Sequence, residues 1–184
     1  MANKASSRKL TDSQTSQATK DESTLIHCEH ASERPFDEVV AAFEKAVGFL
    51  DSEALREIVA TSTSADDFEA RIRSAKGPSG FMRFLDIDHG AWMARTGLTA
   101  RCKLYIFGNP LIARTMLEHD IGVGLNVPLR AMIYEDPKTN ITRLAYDLPS
   151  SLLARLGNPK VTAAARRLDE KLASLARTVT GTKA

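Results

Sequence analysis

The end of the chain constrains its fold most. From about Lys160 onward, Val161, Ala164, Leu168, Leu172, Leu175 and Val179 recur three or four residues apart and draw one apolar stripe along a long helix. A helix of that kind gains its stability by laying the stripe on an apolar surface. The preceding segments supply one. Leu129–Glu135 and Ile141–Tyr146 read as two strands joined by the five-residue loop Asp136-Pro137-Lys138-Thr139-Asn140, a hairpin signature. Arg101–Phe107 is apolar on both faces, as a central strand is, and Phe81–Asp88 reads as a further strand with Phe81, Leu85 and Ile87 on one face and Phe84 on the other.

Upstream, Thr24–His30 alternates Ile26 and Cys28 with polar neighbours and predicts a short strand. Pro35, with Asp37 and Glu38 behind it, opens a helix whose apolar face is Phe36, Val39, Val40, Phe43, Val47 and Leu50. Ser52–Ala60 predicts a second helix. Ser64 with Asp67 resembles a capping box and opens a third, running to about Ala75 before the break Lys76-Gly77-Pro78-Ser79-Gly80. His89–Thr96 predicts a short helical or looped turn. Asn109-Pro110 caps a helix over about Leu111–His119. The order strand, helices, strands, helix, hairpin, helix predicts an α+β fold: a mostly antiparallel sheet, helices packed on one face, an extra helical insertion at 52–76, and a long C-terminal helix.

Residues 1–23 are rich in Ser, Thr, Lys, Gln and Asp, too polar to bury enough surface to offset their ordering entropy. They predict a disordered N-terminal tail, with one domain over 24–179 and a second disordered tail at 180–184. The N-terminus has basic residues with no apolar stretch after them, unlike a secretory signal, and no run approaches the ~18 apolar residues of a membrane span. A soluble, cytoplasmic protein is the default expectation. A net charge of +2 with interspersed signs and 6% aromatics argues against nucleic acid, which requires a concentrated basic face. Cys28 and Cys102 stand alone in apolar strand-like runs, without zinc or dithiol spacing, and read as small core hydrophobes.

No Walker loop, HExxH or GxSxG occurs, and Gly122-Val123-Gly124 is a lone GxG. What stands out is a set of polar residues near strand ends, where folds of this class place pockets. His89 follows Asp88, and a carboxylate beside an imidazole suits acid–base chemistry, although neighbours on a strand face opposite ways. His119 sits at a helix C-terminus, where the helix dipole favours its cation and a purely helix-ending role competes. Asn109 is an N-cap first, at a helix start that also offers free N–H groups. Arg130 is placed to clamp a carboxylate or phosphate, or to pair with Asp120 or Asp136, and Tyr146 ends the next strand of the hairpin. These five are the candidate ligand-binding residues. Trp92 and Met93 read as core or interface.

The segments FDEVVAAFEKAV, DHGAWM, GNPLIARTMLEHDIGVGLNVPLRAMIYED and YDLPSSLL resemble the domain of unknown function 302 family over roughly Leu25–Leu175. The resemblance implies a compact bacterial α+β domain that commonly pairs as a homodimer, and it implies no reaction. The helices at about Ser52–Lys76 depart from the shorter members and suit a lid or an oligomer contact. Three readings follow. The leading one is a homodimeric module binding a small anionic or planar ligand through His89, Asn109, His119, Arg130 and Tyr146. The second is an enzyme using His89 or His119 as general acid/base. The third is an assembly protein whose C-terminal stripe and extra helices make the contacts. No cofactor is specified, and a haem held by His89 and His119 is a variant that their spacing does not demand.

Overall fold

The structure is a computed structural model that describes Ala18 and residues 20–182. The expected N-terminal tail lies mostly outside those residues, as do the last two residues of the expected C-terminal tail. The elements run β1 (His27–Ser32), α1 (Phe36–Ala46), β2 (Gly48–Phe49), α2 (Ser52–Thr61), α3 (Ala65–Ala75), β3 (Met82–Asp88), α4 (His89–Ala94), β4 (Cys102–Gly108), α5 (Pro110–Leu117), β5 (Leu129–Glu135), β6 (Thr142–Asp147), α6 (Pro149–Leu153) and α7 (Pro159–Thr180). The strands form one sheet in the order β1-β6-β5-β4-β3-β2, and every pairing is antiparallel except β2 on β3. The fold is the α+β arrangement expected from the segment order.

The long helix does what its stripe requires. Val161, Ala164, Leu168, Leu172, Leu175 and Val179 are all buried against α1, α5 and the sheet, each at most 4% exposed. Between α1 and the sheet, Phe43 packs on Tyr105 at 4.5 Å between ring centroids and meets Phe107 edge-on at 5.3 Å. The stripe is consumed inside the chain's own core, which removes it as an assembly surface. The expectation that it serves oligomerisation is corrected accordingly.

α1, α5 and α7 crowd one side of the sheet, and the opposite side is uncovered. Strand parity places Leu85, Ile106 and Arg130 in one cross-strand row there, and Ile87, Leu104, Met132 and Ala145 in the next. Leu85 is 52% and Ile87 36% exposed. The expected alternation in β3 fails at one point. An irregularity in the β3–β4 register between Arg83 and Leu85 breaks the pleat, so Phe81 is buried while Leu85 faces outward.

β1 also differs from expectation, occupying His27–Ser32 rather than Thr24–His30. It is an edge strand whose extent is set by its partner, and β6 offers Thr142–Asp147. At the other end, Thr180 is buried and its carbonyl accepts a 2.7 Å hydrogen bond from Ser32 Oγ, so the folded unit extends one residue past the expected boundary. The two helices of the expected insertion form as read. Ser64 Oγ caps α3 through the Asp67 N–H, and the Asp67 carboxylate returns a bond to the Thr63 N–H.

Because Leu172 is enclosed by α7's contacts and Leu85 stands on the open face, truncation separates them. Leu172→Ala is expected to destabilise the chain by about 2–5 kcal/mol, and Leu85→Ala by less than about 1 kcal/mol, in urea unfolding.

Candidate functional site

Three cavities meet where β3 begins, β4 ends and β5 begins. The first, of about 360 Å³, lies under the start of α5 and is walled by Phe81, Phe84, Ile112, Met116, Leu129 and Leu168, with Ser52 and Leu55 of α2 on its rim. Among the described residues its lining carries no titratable side chain, and its only polar side chains are those of Ser52 and Asn109. A space of this kind binds apolar matter and has nothing to transfer a proton with. The Ser52–Lys76 helices are therefore part of its wall, through α2.

Asn109 is the expected candidate that borders this space. Its Oδ1 accepts from the Leu111 N–H and its Nδ2 donates to the Gly80 carbonyl, both at 2.8 Å. One side chain thus caps α5 and ties it to the start of β3, which makes Asn109 a positioning residue at the cavity mouth.

The second cavity, also about 360 Å³, shares Asn109, Ile112 and Leu168 with the first and lies between α3, α5 and α7. Arg73, Lys76, Arg167 and Lys171 line it. The third, about 470 Å³, opens on the uncovered side of the sheet and is lined by Ile106, Leu125, Arg130, Asp147 and Leu152, with Val127, Pro128 and Leu129 separating it from the first. Arg130 is exposed and pairs with neither Asp120 nor Asp136. Asp120 Oδ1 caps Gly122 N–H at 2.8 Å, and Asp136 lies 3.6 Å from Arg143.

The other three expected residues lie elsewhere. Tyr146 is buried on the helix-covered side, opposite to Arg130. Its hydroxyl is 3.3 Å from His30 Nε2 and the two rings stack at 5.8 Å. Burial, reinforced by the Cys28 thiol, pushes the Tyr146 pKa up to about 12, so it stays a neutral phenol. His89 starts α4 at the far end of β3, so the strand's seven residues, roughly 20 Å, separate it from Asn109. Its Nδ1 accepts from Trp92 Nε1–H at 2.9 Å, while Asp88 caps the Ala91 N–H instead of touching the imidazole. His119 follows α5, beside Glu118, and its carbonyl accepts from Asn158. The five residues do not converge on one pocket, and His89 and His119 line none of these cavities.

Sequence reasoning did not single out two clusters. His30 joins Tyr146 and Cys28 under α7, where burial and then Arg177 hold the imidazole pKa below its usual value. Burial likewise raises the Cys28 thiol. Between α1 and the sheet, Glu44 Oε1 accepts from Lys103 Nζ at 2.8 Å and Tyr105 Oη at 2.9 Å, and Asp86 pairs with Arg83 at 2.8 Å and with Lys103 at 3.0 Å. Burial alone would raise the Glu44 carboxyl, but the bonds from Lys103 and Tyr105 outweigh it and hold the pKa down. Two cations facing two carboxylates make this network self-neutralising, a brace between α1 and the sheet.

Among the described residues, no group of three or more His, Cys, Asp or Glu side chains is placed to hold a metal ion, and no helix is long and apolar enough to cross a membrane. No curated protein matches the chain. The crystal structure of an uncharacterized conserved protein DUF302 from Bacillus stearothermophilus is similar in fold, with a TM-score of 0.60 at 15% identity, covering 83% of this chain and 97% of that one. The family model described as domain of unknown function DUF302 matches residues 57–179, from within α2 to the penultimate residue of α7, which takes in every wall of the first cavity except Ser52 and Leu55. With about two thirds of its length under that match, the chain belongs to the DUF302 family.

Proposed function

We propose that this protein is a small-molecule-binding module whose ligand lies in the apolar cavity under the start of α5. The observation that carries the reading is the cavity itself: about 360 Å³, open to solvent on one side, walled by Phe81, Phe84, Ile112, Met116 and Leu129, and without a titratable lining group. That volume falls within the range of small-ligand sites. The positions of His89 and His119 outside it favour binding over acid–base catalysis.

The uncharged fluorophore N-phenyl-1-naphthylamine is the direct probe. It is expected to brighten with the wild-type chain and to lose about tenfold in affinity with Ala113→Phe, which grows from the half-buried face of α5 into the cavity. Unchanged binding to that variant would place the probe elsewhere and refute the site.

Assembly as a homodimer belongs to the same reading, through the uncovered sheet face rather than through α7. Leu85, Ile87, Leu104, Ile106 and Met132 form an apolar half beside a charged half carrying Glu29 and Arg143, and a two-fold axis running across the strands pairs apolar with apolar. Sedimentation velocity is expected to show a dimer that Leu85→Lys with Ile87→Lys converts to a monomer. A monomeric wild type, or a variant that stays dimeric, contradicts it.

A further inference from the structure

The second cavity bears on what kind of molecule the first one holds. Its lining contains four cations, Arg73, Lys76, Arg167 and Lys171, and no carboxylate. Arg73 is compensated, 3.1 Å from Glu69, which also takes Arg114 at 2.7 Å. Lys76, Arg167 and Lys171 form no ion pair among the described residues. Lys76 and Arg167 reach solvent and Lys171 is half-buried, whereas the half-buried Lys103 and Arg83 on the sheet are neutralised closely by Glu44 and Asp86.

The arrangement runs against what a helix surface prefers. Arg167 and Lys171 are one turn apart on α7 and line the same space, a like-charge spacing that is unfavourable in an isolated helix. The Lys171 ammonium lies 5.4 Å from the centroid of the Phe81 ring, and Phe81 is itself a wall of the apolar cavity. This ammonium therefore stands at the seam between the two spaces. The turn at Gly80 passes beside it. Gly80 has φ +80, and a Cβ there would come within 2.8 Å of Lys171 Nζ. The same Gly80 offers its carbonyl to Asn109, so the turn to which α5 is tied also lies beside the ammonium.

We propose that the ligand is an amphiphilic anion, its apolar body in the first cavity and a carboxylate or phosphate head among Lys76, Arg167 and Lys171. The proposal rests on the binding reading above and adds the chemical class of the ligand. The two spaces adjoin across Asn109, Ile112 and Leu168, so a short chain lying over Ile112 reaches both. A carboxylate and a phosphate monoester present the same chemistry to three cations, and the head that binds more tightly identifies the source.

The test displaces N-phenyl-1-naphthylamine from the full chain at low salt with decanoate, decyl phosphate and uncharged decanol, and repeats the titration on Arg167→Gln with Lys171→Gln. Both substitutions are made on side chains that reach solvent, and Lys76→Gln serves as an independent second variant. The wild type is expected to bind at least one of the anions about tenfold more tightly than decanol, with the preference shrinking as salt is added. In the double variant decanol is expected to bind as before while the anion preference falls to about threefold or less. Equal affinity for decanol and both anions in the wild type overturns the anionic head and leaves the apolar cavity standing. A preference that survives in both variants overturns the placement of the head. Failure of all three amphiphiles to displace a probe that Ala113→Phe does expel also overturns the proposal. Failure of the probe to bind at all removes the binding reading with it.

Discussion

The burial of one apolar stripe organises this molecule. α7 lays Val161, Leu168, Leu172, Leu175 and Val179 against the sheet and its neighbouring helices, and each such side chain removed from water contributes about 1.5–3 kcal/mol before entropy is counted. A 22-residue helix spans roughly 33 Å, so it runs along one side of a small sheet from end to end. Everything else is fitted around that contact. α1 and α5 take the room beside it on the same side, the opposite side is left open, and the far edge of the sheet is finished by β1, whose Ser32 is tied to the end of α7.

The cavity is a consequence of how α5 is seated. Asn109 spends its amide on two structural bonds, one into α5 and one to Gly80, and so fixes the helix start above the ends of β3 and β4. With that position fixed, Met116 and Leu168 form a wall on one side, and α2 supplies the rim on the other. The neighbouring cations arise from the same geometry, because α3 ends and α7 passes where α5 begins. An apolar space without a titratable side chain thus adjoins one lined by cations. That combination suits recognition of a molecule with two unlike ends.

Local pattern carried much of the fold. The hairpin with Leu129–Glu135 and the stripe of α7 each specify an element without help from tertiary contacts, and each formed as read, whereas the helix read from Phe36 to Leu50 stops at Ala46, because the next residues, Gly48–Phe49, pair with β3 as an edge strand. β1 was legible as a strand but not in its extent, because an edge strand takes its limits from its partner. The site was less legible. Asn109 was visible as a cap, and only the sheet order shows that its end of β4 lies a full strand's length from His89. Phe81, Met116 and Leu168 have the periodicity of core residues whether the space beside them is filled or empty, since a pattern of apolar positions does not encode packing density. Lys76, Arg167 and Lys171 are distant in sequence and individually ordinary, and they acquire meaning only when α3 and α7 are brought together.

The account stands on where a bound molecule sits, and methyl-labelled NMR of the full chain titrated with decanoate reads that directly. It predicts shifts at Leu55, Ile112, Met116 and Leu168, with Leu85 and Ile87 on the open face unmoved. Shifts confined to Leu85, Ile87 and Ile106, with Ile112 and Met116 silent, would show that the open sheet face and not the cavity takes the ligand, and would contradict it.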